Sequence, residues 1–330
     1  MQSHARIWTG LALGVSAAVL ISTPAMAFAA PRSKAPAPVS TTSQTHANLS
    51  TAMHGEAFAY AQYTAFGELA QTKGKSSSLT KLYTNTAAIE LGEHFAEEAA
   101  LYGLVGTTAQ NLKNAGDGET YENTSMYPGY AKAAEAAGEL EAADLLWEIS
   151  SDEGYHAANY AAILAALNGG AKEPQLKAMV NGFLKQNALM PDITAPVAGP
   201  SQVADPTTRD NILAAMHGEA FAYASYSAYA DAAQKAGYPS IATLFRATAK
   251  VEFYEHWREE ANMVGLFGSA ADNLWTSITG ENYETTIMYP GFAATARAEG
   301  YLNAEEVFLD AAWDEAGHKA AFTKALNALG

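Results

Sequence analysis

The string Met-His-Gly-Glu-Ala-Phe-Ala-Tyr-Ala occurs twice, letter for letter, at Met53–Ala61 and again at Met216–Ala224. Two identical copies mark a tandem duplication, and each opens an Ala-rich pattern with helical periodicity. Each also sets one carboxylate, Glu56 or Glu219, among small and apolar neighbours. Such an acid needs a partner elsewhere in its unit, because an isolated buried charge is costly.

The repeats run from 47 to 168 and from 211 to 330, each the size of a self-sufficient small domain. Inside each the pattern is helical throughout, with no alternating strand signal. In the first copy helix A is expected over Leu49–Thr72, helix B over Ser78–Leu104, helix C around Met126-Tyr127-Pro128 and helix D over Glu139–Leu167. A long connection over Thr107–Gly118 is expected between B and C, and the same elements recur about 162 residues later. Two helices, a crossover and two more helices is the connectivity of a ferritin-like bundle. The expected fold is therefore all-α, two tandem ferritin-like four-helix bundles. Residues 169–210 form a linker whose stripe of Leu176, Met179, Val180, Phe183 and Leu184 predicts one short helix, followed by a Pro-rich extended part.

Ahead of the repeats, Arg6, the apolar run Leu11–Ile21 and Ala25-Met26-Ala27 read as a signal peptide over 1–27, cleaved after Ala27. Residues 28–46 read as a flexible tether. The expectation is a periplasmic or secreted protein that is not integral to a membrane, since the run is short for a span. A formal charge of -16 argues against nucleic acid, whose binders carry a basic footprint. The absence of cysteine excludes thiolate metal sites and thiol nucleophiles.

Comparison of the two copies isolates the residues that carry chemistry. Helix D holds Glu153 and His156, matched by Glu315 and His318, a Glu and a His about one turn apart on one face. Helix B holds Glu90, Glu93 and His94, matched by Glu252, Glu255 and His256; helix C supplies Glu122 and Glu284, and helix A supplies Glu56 and Glu219. This is the donor inventory of a carboxylate-bridged two-metal site in a bundle core. Buried acids on facing helices repel, and two divalent cations would neutralise them in a shell suited to iron or manganese. His54 and His217 point away from Glu56 and Glu219 and read as core or interface residues. Glu97, Glu98, Glu259 and Glu260 read as solvated charges.

Both repeats resemble the diiron domain of rubrerythrin. The matching stretches are Gly55-Glu56 with Tyr63, Thr86–Glu90 with Glu93-His94, Glu122 with Met126-Tyr127-Pro128, and Glu153 with His156. In the second copy they are Gly218-Glu219 with Tyr226, Thr248–Glu252 with Glu255-His256, Glu284 with Met288-Tyr289-Pro290, and Glu315 with His318. The resemblance implies two Fe ions per repeat, with Mn as a possible substitute, and a reduced centre that converts hydrogen peroxide to water. It places Glu90 and Glu153 as bridges within one repeat, and Tyr63, Tyr127, Tyr226 and Tyr289 as candidate proton donors.

Three departures from the family pattern stand out. The helix B histidine comes four residues after its Glu instead of three, so either a π-bulge realigns His94 and His256 or Glu93 and Glu255 replace them. The family's further carboxylate just before Met-Tyr-Pro, which exchanges with histidine as iron changes oxidation state, is replaced by Ser125 and Ile287. No cysteine is present for a rubredoxin domain, so an external electron donor is needed. The expected activity is peroxide reduction. Ferroxidase turnover on Fe(II) and oxygen, manganese catalase-like disproportionation and metal binding without turnover are the alternatives. The linker's length suggests that the repeats pair as a pseudo-dimer.

Overall fold

In the computed structural model, residues 39–72 and 77–329 are described. The targeting segment and most of the tether lie outside them. Among the described residues every regular element is helical.

Helix α1 (Gln44–Thr72) opens earlier than the periodicity predicts, inside the expected tether, with Val39 buried ahead of it and its N–H donated to the Leu101 carbonyl at 2.7 Å. Helix B comprises α2 (Ser77–Ile89), a π-turn over Glu90–His94 and α3 (Phe95–Tyr102), which stops at Gly103 in the left-handed region (φ 79°). The long connection expected next does not exist. Thr107 caps α4 (Thr108–Tyr121) through a reciprocal capping box with Gln110. Helix C continues through a π-turn over Glu122–Met126 into α5 (Tyr127–Ala137). The second π-turn has a local cause: Pro128 has no N–H to give the carbonyl four residues back, so the ladder loosens just ahead of it. Helix α6 (Leu140–Asn168) completes the first repeat.

The linker forms α7 (Glu173–Phe183) and a 3₁₀ turn at Asn187–Leu189. The extended part then hydrogen-bonds along the second repeat, with Thr194 donating to the Tyr254 carbonyl at 2.9 Å and Gln202 to the Met263 carbonyl at 2.8 Å. Gly265 sits at φ 65° beneath this strap, and a Cβ there would fall 2.3 Å from the Ser201 nitrogen, so no side chain fits. The second repeat gives α8 (Pro206–Lys235), α9 (Pro239–Val251), a π-turn over Glu252–His256, α10 (Trp257–Met263), α11 (Ala270–Tyr283), a π-turn over Glu284–Met288, α12 (Tyr289–Glu299) and α13 (Leu302–Asn327).

Two four-helix bundles result, and each draws half its helices from either repeat. Helices α1–α3 pack against α11–α13, and α8–α10 pack against α4–α6. Connection length explains the exchange. The B helix spans roughly 39 Å from Ser77 to Tyr102 at about 1.5 Å per residue, whereas the few residues Gly103–Thr107 reach at most ~18 Å. The chain cannot run back along its own bundle, so helix C leads into the other one. Helices α1 and α8 join the two bundles, with His54 stacked on Phe221 at 3.9 Å, Phe58 on His217 at 4.2 Å, and the hydroxyls of Tyr60 and Tyr223 3.0 Å apart. The paired histidines are thus interface residues.

Phe322 of α13 is fully buried, its ring 5.2 Å from both Tyr63 and Tyr83 of the first repeat. Phe322→Ala should cost about 3–5 kcal/mol. Because the bundles share both repeats, denaturant titration followed by circular dichroism should still show one transition; two separate transitions would contradict the interleaved packing.

Candidate metal centres

Each bundle encloses a cluster of buried carboxylates and imidazoles. In the first, donor atoms of Glu56, Glu90, His94 and Glu315 converge, and beside them converge those of Glu90, Glu281, Glu315 and His318, each group within 4.8 Å. In the second cluster the groups are Glu153, Glu219, Glu252 and His256, and Glu119, Glu153, His156 and Glu252. Two carboxylates are common to both groups in each cluster: Glu90 and Glu315 in the first, Glu153 and Glu252 in the second. The shared pair comes from helix B of one repeat and helix D of the other. The bridge expected within a single repeat, Glu90 with Glu153, is therefore not formed, because the short B–C connection carries helix D into the opposite bundle.

The π-turns set this register. Phe95 donates its N–H to the Glu90 carbonyl, five residues back, and the extra residue turns both Glu90 and His94 inward. The same holds for Glu252 and His256. Glu93 is left exposed and Glu255 half-buried, accepting the Asp192 backbone N–H at 2.9 Å; neither joins a cluster. Of the two ways open to helix B, the structure takes the π-bulge.

All four imidazoles aim Nδ1 at the carboxylates. His94 Nδ1 lies 2.9 Å from Glu315 and 3.0 Å from Glu90, and His318 Nδ1 lies 2.7 Å from Glu315 and 3.2 Å from Glu90. His256 Nδ1 lies 3.0 Å from both Glu153 and Glu252, and His156 Nδ1 lies 2.8 Å from Glu153. Outward, His156 Nε2 meets the Ala188 carbonyl at 2.5 Å and His94 Nε2 meets Asp314 at 3.5 Å. An Nε2–H held by an outer oxygen leaves the Nδ1 lone pair free for a cation. Both oxygens of Glu90 and of Glu252 are buried without a hydrogen-bond donor. Four carboxylates against two neutral imidazoles per cluster leave a charge that two divalent cations would cancel, so the donor set fits a pair of metal ions.

Without cations the groups shift as electrostatics requires. Burial pushes the Glu90 carboxyl up to about 7 and Glu281 up to about 8. Glu98, Glu119, Glu219, Glu260 and Glu284 are also raised by burial, with neighbouring carboxylates adding to it. Glu153 goes the other way: against its burial, the charge of His256 holds it well below the usual range. Burial would lower His318, yet the carboxylates of Glu281, Glu315 and Glu90 lift it to about 12.

Four buried tyrosines reach the clusters, and each binds an acid of the opposite repeat. Tyr63 donates to Glu281 and Tyr226 to Glu119, both at 2.6 Å. Tyr289 donates to Glu56 and also lies 3.0 Å from Glu98, while Tyr127 donates to Glu219 and lies 3.1 Å from Glu260. Glu98 and Glu260 are fully buried, which corrects their reading as solvated charges: one turn beyond the histidine, they face the core. Glu97 is exposed and Glu259 half-buried, accepting from Thr194 at 3.2 Å.

Helix C holds what the sequence reading missed. Glu119 and Glu281 are cluster members, one turn ahead of Glu122 and Glu284, so helix C does carry two carboxylates despite Ser125 and Ile287. The repeated string Gly-Glu-x-Tyr-Glu at Gly118–Glu122 and Gly280–Glu284 was the available signal. Glu122 and Glu284 stand just outside the convergent groups, against Gly218 and Gly55 of helix A, where a Cβ would lie 3.6 and 3.9 Å from their carboxylate oxygens, an ordinary contact.

Helix pairs exchanged around paired Glu and His clusters define a ferritin-like carboxylate-bundle protein. The chain belongs to the rubrerythrin family, whose pattern matches residues 76–164 and 250–326. It is 38% identical over 125 residues to a rubrerythrin of Porphyromonas gingivalis, an alignment covering 34% of this chain and 62% of that protein. It is 36% identical over 140 residues to nigerythrin of Nitratidesulfovibrio vulgaris, covering 38% and 69%. Rubrerythrin-1 of Clostridium acetobutylicum is 32% identical over 138 residues, covering 37% and 69%. The chain thus spans somewhat under two thirds of the Porphyromonas protein. No solved structure gives a significant match. Among the described residues no helix is long and apolar enough to cross a membrane.

The raised groups fix a pH dependence. Glu90 and Glu281 keep protons in the folded state that the unfolded chain releases above about 4.5, so folding is penalised as pH rises through about 7 and 8. His318 adds stability that is complete below 6.5 and declines as pH climbs towards about 12. Each such proton is worth about 1.4 kcal/mol per pH unit within its window. Thermal melts of chelator-treated protein should show a melting temperature that falls from pH 5 to pH 8, and Fe(II) or Mn(II) should flatten the profile. A metal-free protein that gains stability over that range would refute this assignment of charge.

Proposed function

We propose that this chain is an exported diiron protein that reduces hydrogen peroxide to water with electrons from an external donor. The observation that carries the reading is the pair of carboxylates common to two adjacent donor groups in each cluster, an arrangement for two neighbouring ions. The ligands of the first centre would be Glu56, Glu90, His94, Glu281, Glu315 and His318. Those of the second would be Glu119, Glu153, His156, Glu219, Glu252 and His256. Two reduced iron ions held there would supply the two electrons that, with two protons, convert one peroxide into two waters.

The residues of the chain do the rest. Tyr289 and Tyr127 hold hydroxyl protons between a helix A ligand and the buried acids Glu98 and Glu260, whose proton affinity burial raises. Each tyrosine–acid pair is thus a proton store beside its centre. Tyr63 and Tyr226 pin the helix C carboxylates of Glu281 and Glu119 in place. The apolar packing around them keeps bulk water out, which strengthens every charge interaction inside. Export rests on the N-terminal segment read above, and the mass of the protein isolated from its host would test it.

Glu315→Ala removes a shared ligand of the first centre alone. It should lower bound iron by about half and with it the amplitude of peroxide-driven oxidation, because the second centre uses none of the same residues. Glu93→Gln should leave iron content unchanged. Tyr289→Phe should keep the iron and slow peroxide-driven oxidation at the first centre by about 10²-fold. Stopped-flow absorbance with parallel iron analysis reads all three. Absence of bound iron would end the proposal, and iron with donor-independent oxidation of added Fe(II) would favour a ferroxidase.

A further inference from the structure

Outside the second centre, α6 and the linker enclose a cavity of about 690 Å³. Glu148, Asp152, Asp192 and Glu255 line it, and no lysine or arginine does. No cluster residue lines it, but two of its wall residues touch the cluster's histidines. Asp152 Oδ2 lies 3.8 Å from His256 Nε2, an atom of a side chain only 1% exposed that has no hydrogen-bond partner. Ala188, also in the wall, is the residue whose carbonyl takes His156 Nε2. A buried imidazole nitrogen without a hydrogen bond therefore lies directly behind Asp152, one side chain away from a chamber of acids with no lysine or arginine in its walls.

Three of these acids recur by duplication: Glu255 matches Glu93, Asp152 matches Asp314 and Glu148 matches Asp310, each about 162 residues apart. The fourth, Asp192, comes from the linker, so the walled chamber belongs to the second centre. Glu255, which the sequence marks by repetition and which the clusters do not use, acquires a role here as a wall residue.

We infer that the chamber is the access route of a hydrated divalent cation, Fe(II) under the proposed function, to the second centre. Glu148 and Asp192 at its exposed side draw the cation in, and Asp152 passes it on beside His256. The inference rests on the metal-centre reading. The chamber acids do not themselves form a convergent donor group, so they attract a cation without storing it. Like charges lining a low-dielectric cleft raise association rates by about 10–10³-fold, an effect that salt removes. If Asp152 served only to orient His256, Glu148 and Asp192 would have no influence on loading.

The test uses the full-length protein freed of metal and mixed anaerobically with Co(II), its binding followed by visible absorbance in a stopped-flow instrument. Glu148→Gln with Asp192→Asn should slow about half of the amplitude by roughly 5–10-fold and leave the final absorbance unchanged. The difference should vanish at about 0.5 M salt. A control with the same charge change elsewhere, Asp117→Asn with Glu141→Gln, should load like the unmodified protein. Full Co(II) uptake at control rates in the chamber variant would overturn the access route and leave the centres standing. If the unmodified protein took up no Co(II), it would be the metal-centre reading that fails.

Discussion

Everything in this molecule is arranged around carboxylates that repel one another. Each cluster brings four glutamates together, and both oxygens of one of them, Glu90 in the first and Glu252 in the second, lack any hydrogen-bond donor. A core built that way opposes folding unless positive charge enters it, because removing paired like charges from water costs several kcal/mol per ion. The apolar packing of α1 and α8, and the tyrosines anchored to Glu56, Glu119, Glu219 and Glu281, hold the acids in place against that repulsion. The fold thus pre-forms a donor set that cations would complete.

The exchange of helix pairs follows from one connector. Gly103 ends α3 in a left-handed turn and Thr107 starts α4 at once, which leaves the chain no length to turn back. The second repeat is built the same way, with Ser269 capping α11 through Asp272 just after α10 ends. Because both repeats share the constraint, the exchange is reciprocal and the two clusters come out alike. What differs between them is the linker, whose 3₁₀ turn closes over His156 while His318 keeps 8% of its surface exposed.

Much of this was legible in the residues. The exact nonapeptide announced the duplication. The Glu and His spacings of helices B and D named most of the cluster, and the family resemblance supplied the two-ion arithmetic. The π-turn on helix B was foreseeable because the histidine stood one residue out of register. Glu119 and Glu281 were hard to read because the family pattern sets its further carboxylate just before Met-Tyr-Pro, where this chain has Ser125 and Ile287; the capping signal at Thr107 and Gln110 is what puts Thr108–Tyr121 on a helix. The exchange is hidden by the same stretch: a loop over Thr107–Gly118 would let the chain return to its own bundle, whereas the helix that runs there does not. Glu98 and Glu260 looked solvated because a Glu-Glu pair on a helix usually is, and only the tyrosines of the opposite repeat give the second acid of each pair a buried partner.

The interleaving also sets an order of completion as the chain leaves the ribosome. The second cluster takes its last donor residue, His256, from the π-turn ahead of α10, so all its donors exist once the middle of the second repeat has emerged. The first cluster, whose earliest donor residue is Glu56, waits for His318 on α13. For most of synthesis the cluster that began first is the one left unfinished, its acids on α1–α3 without their partners.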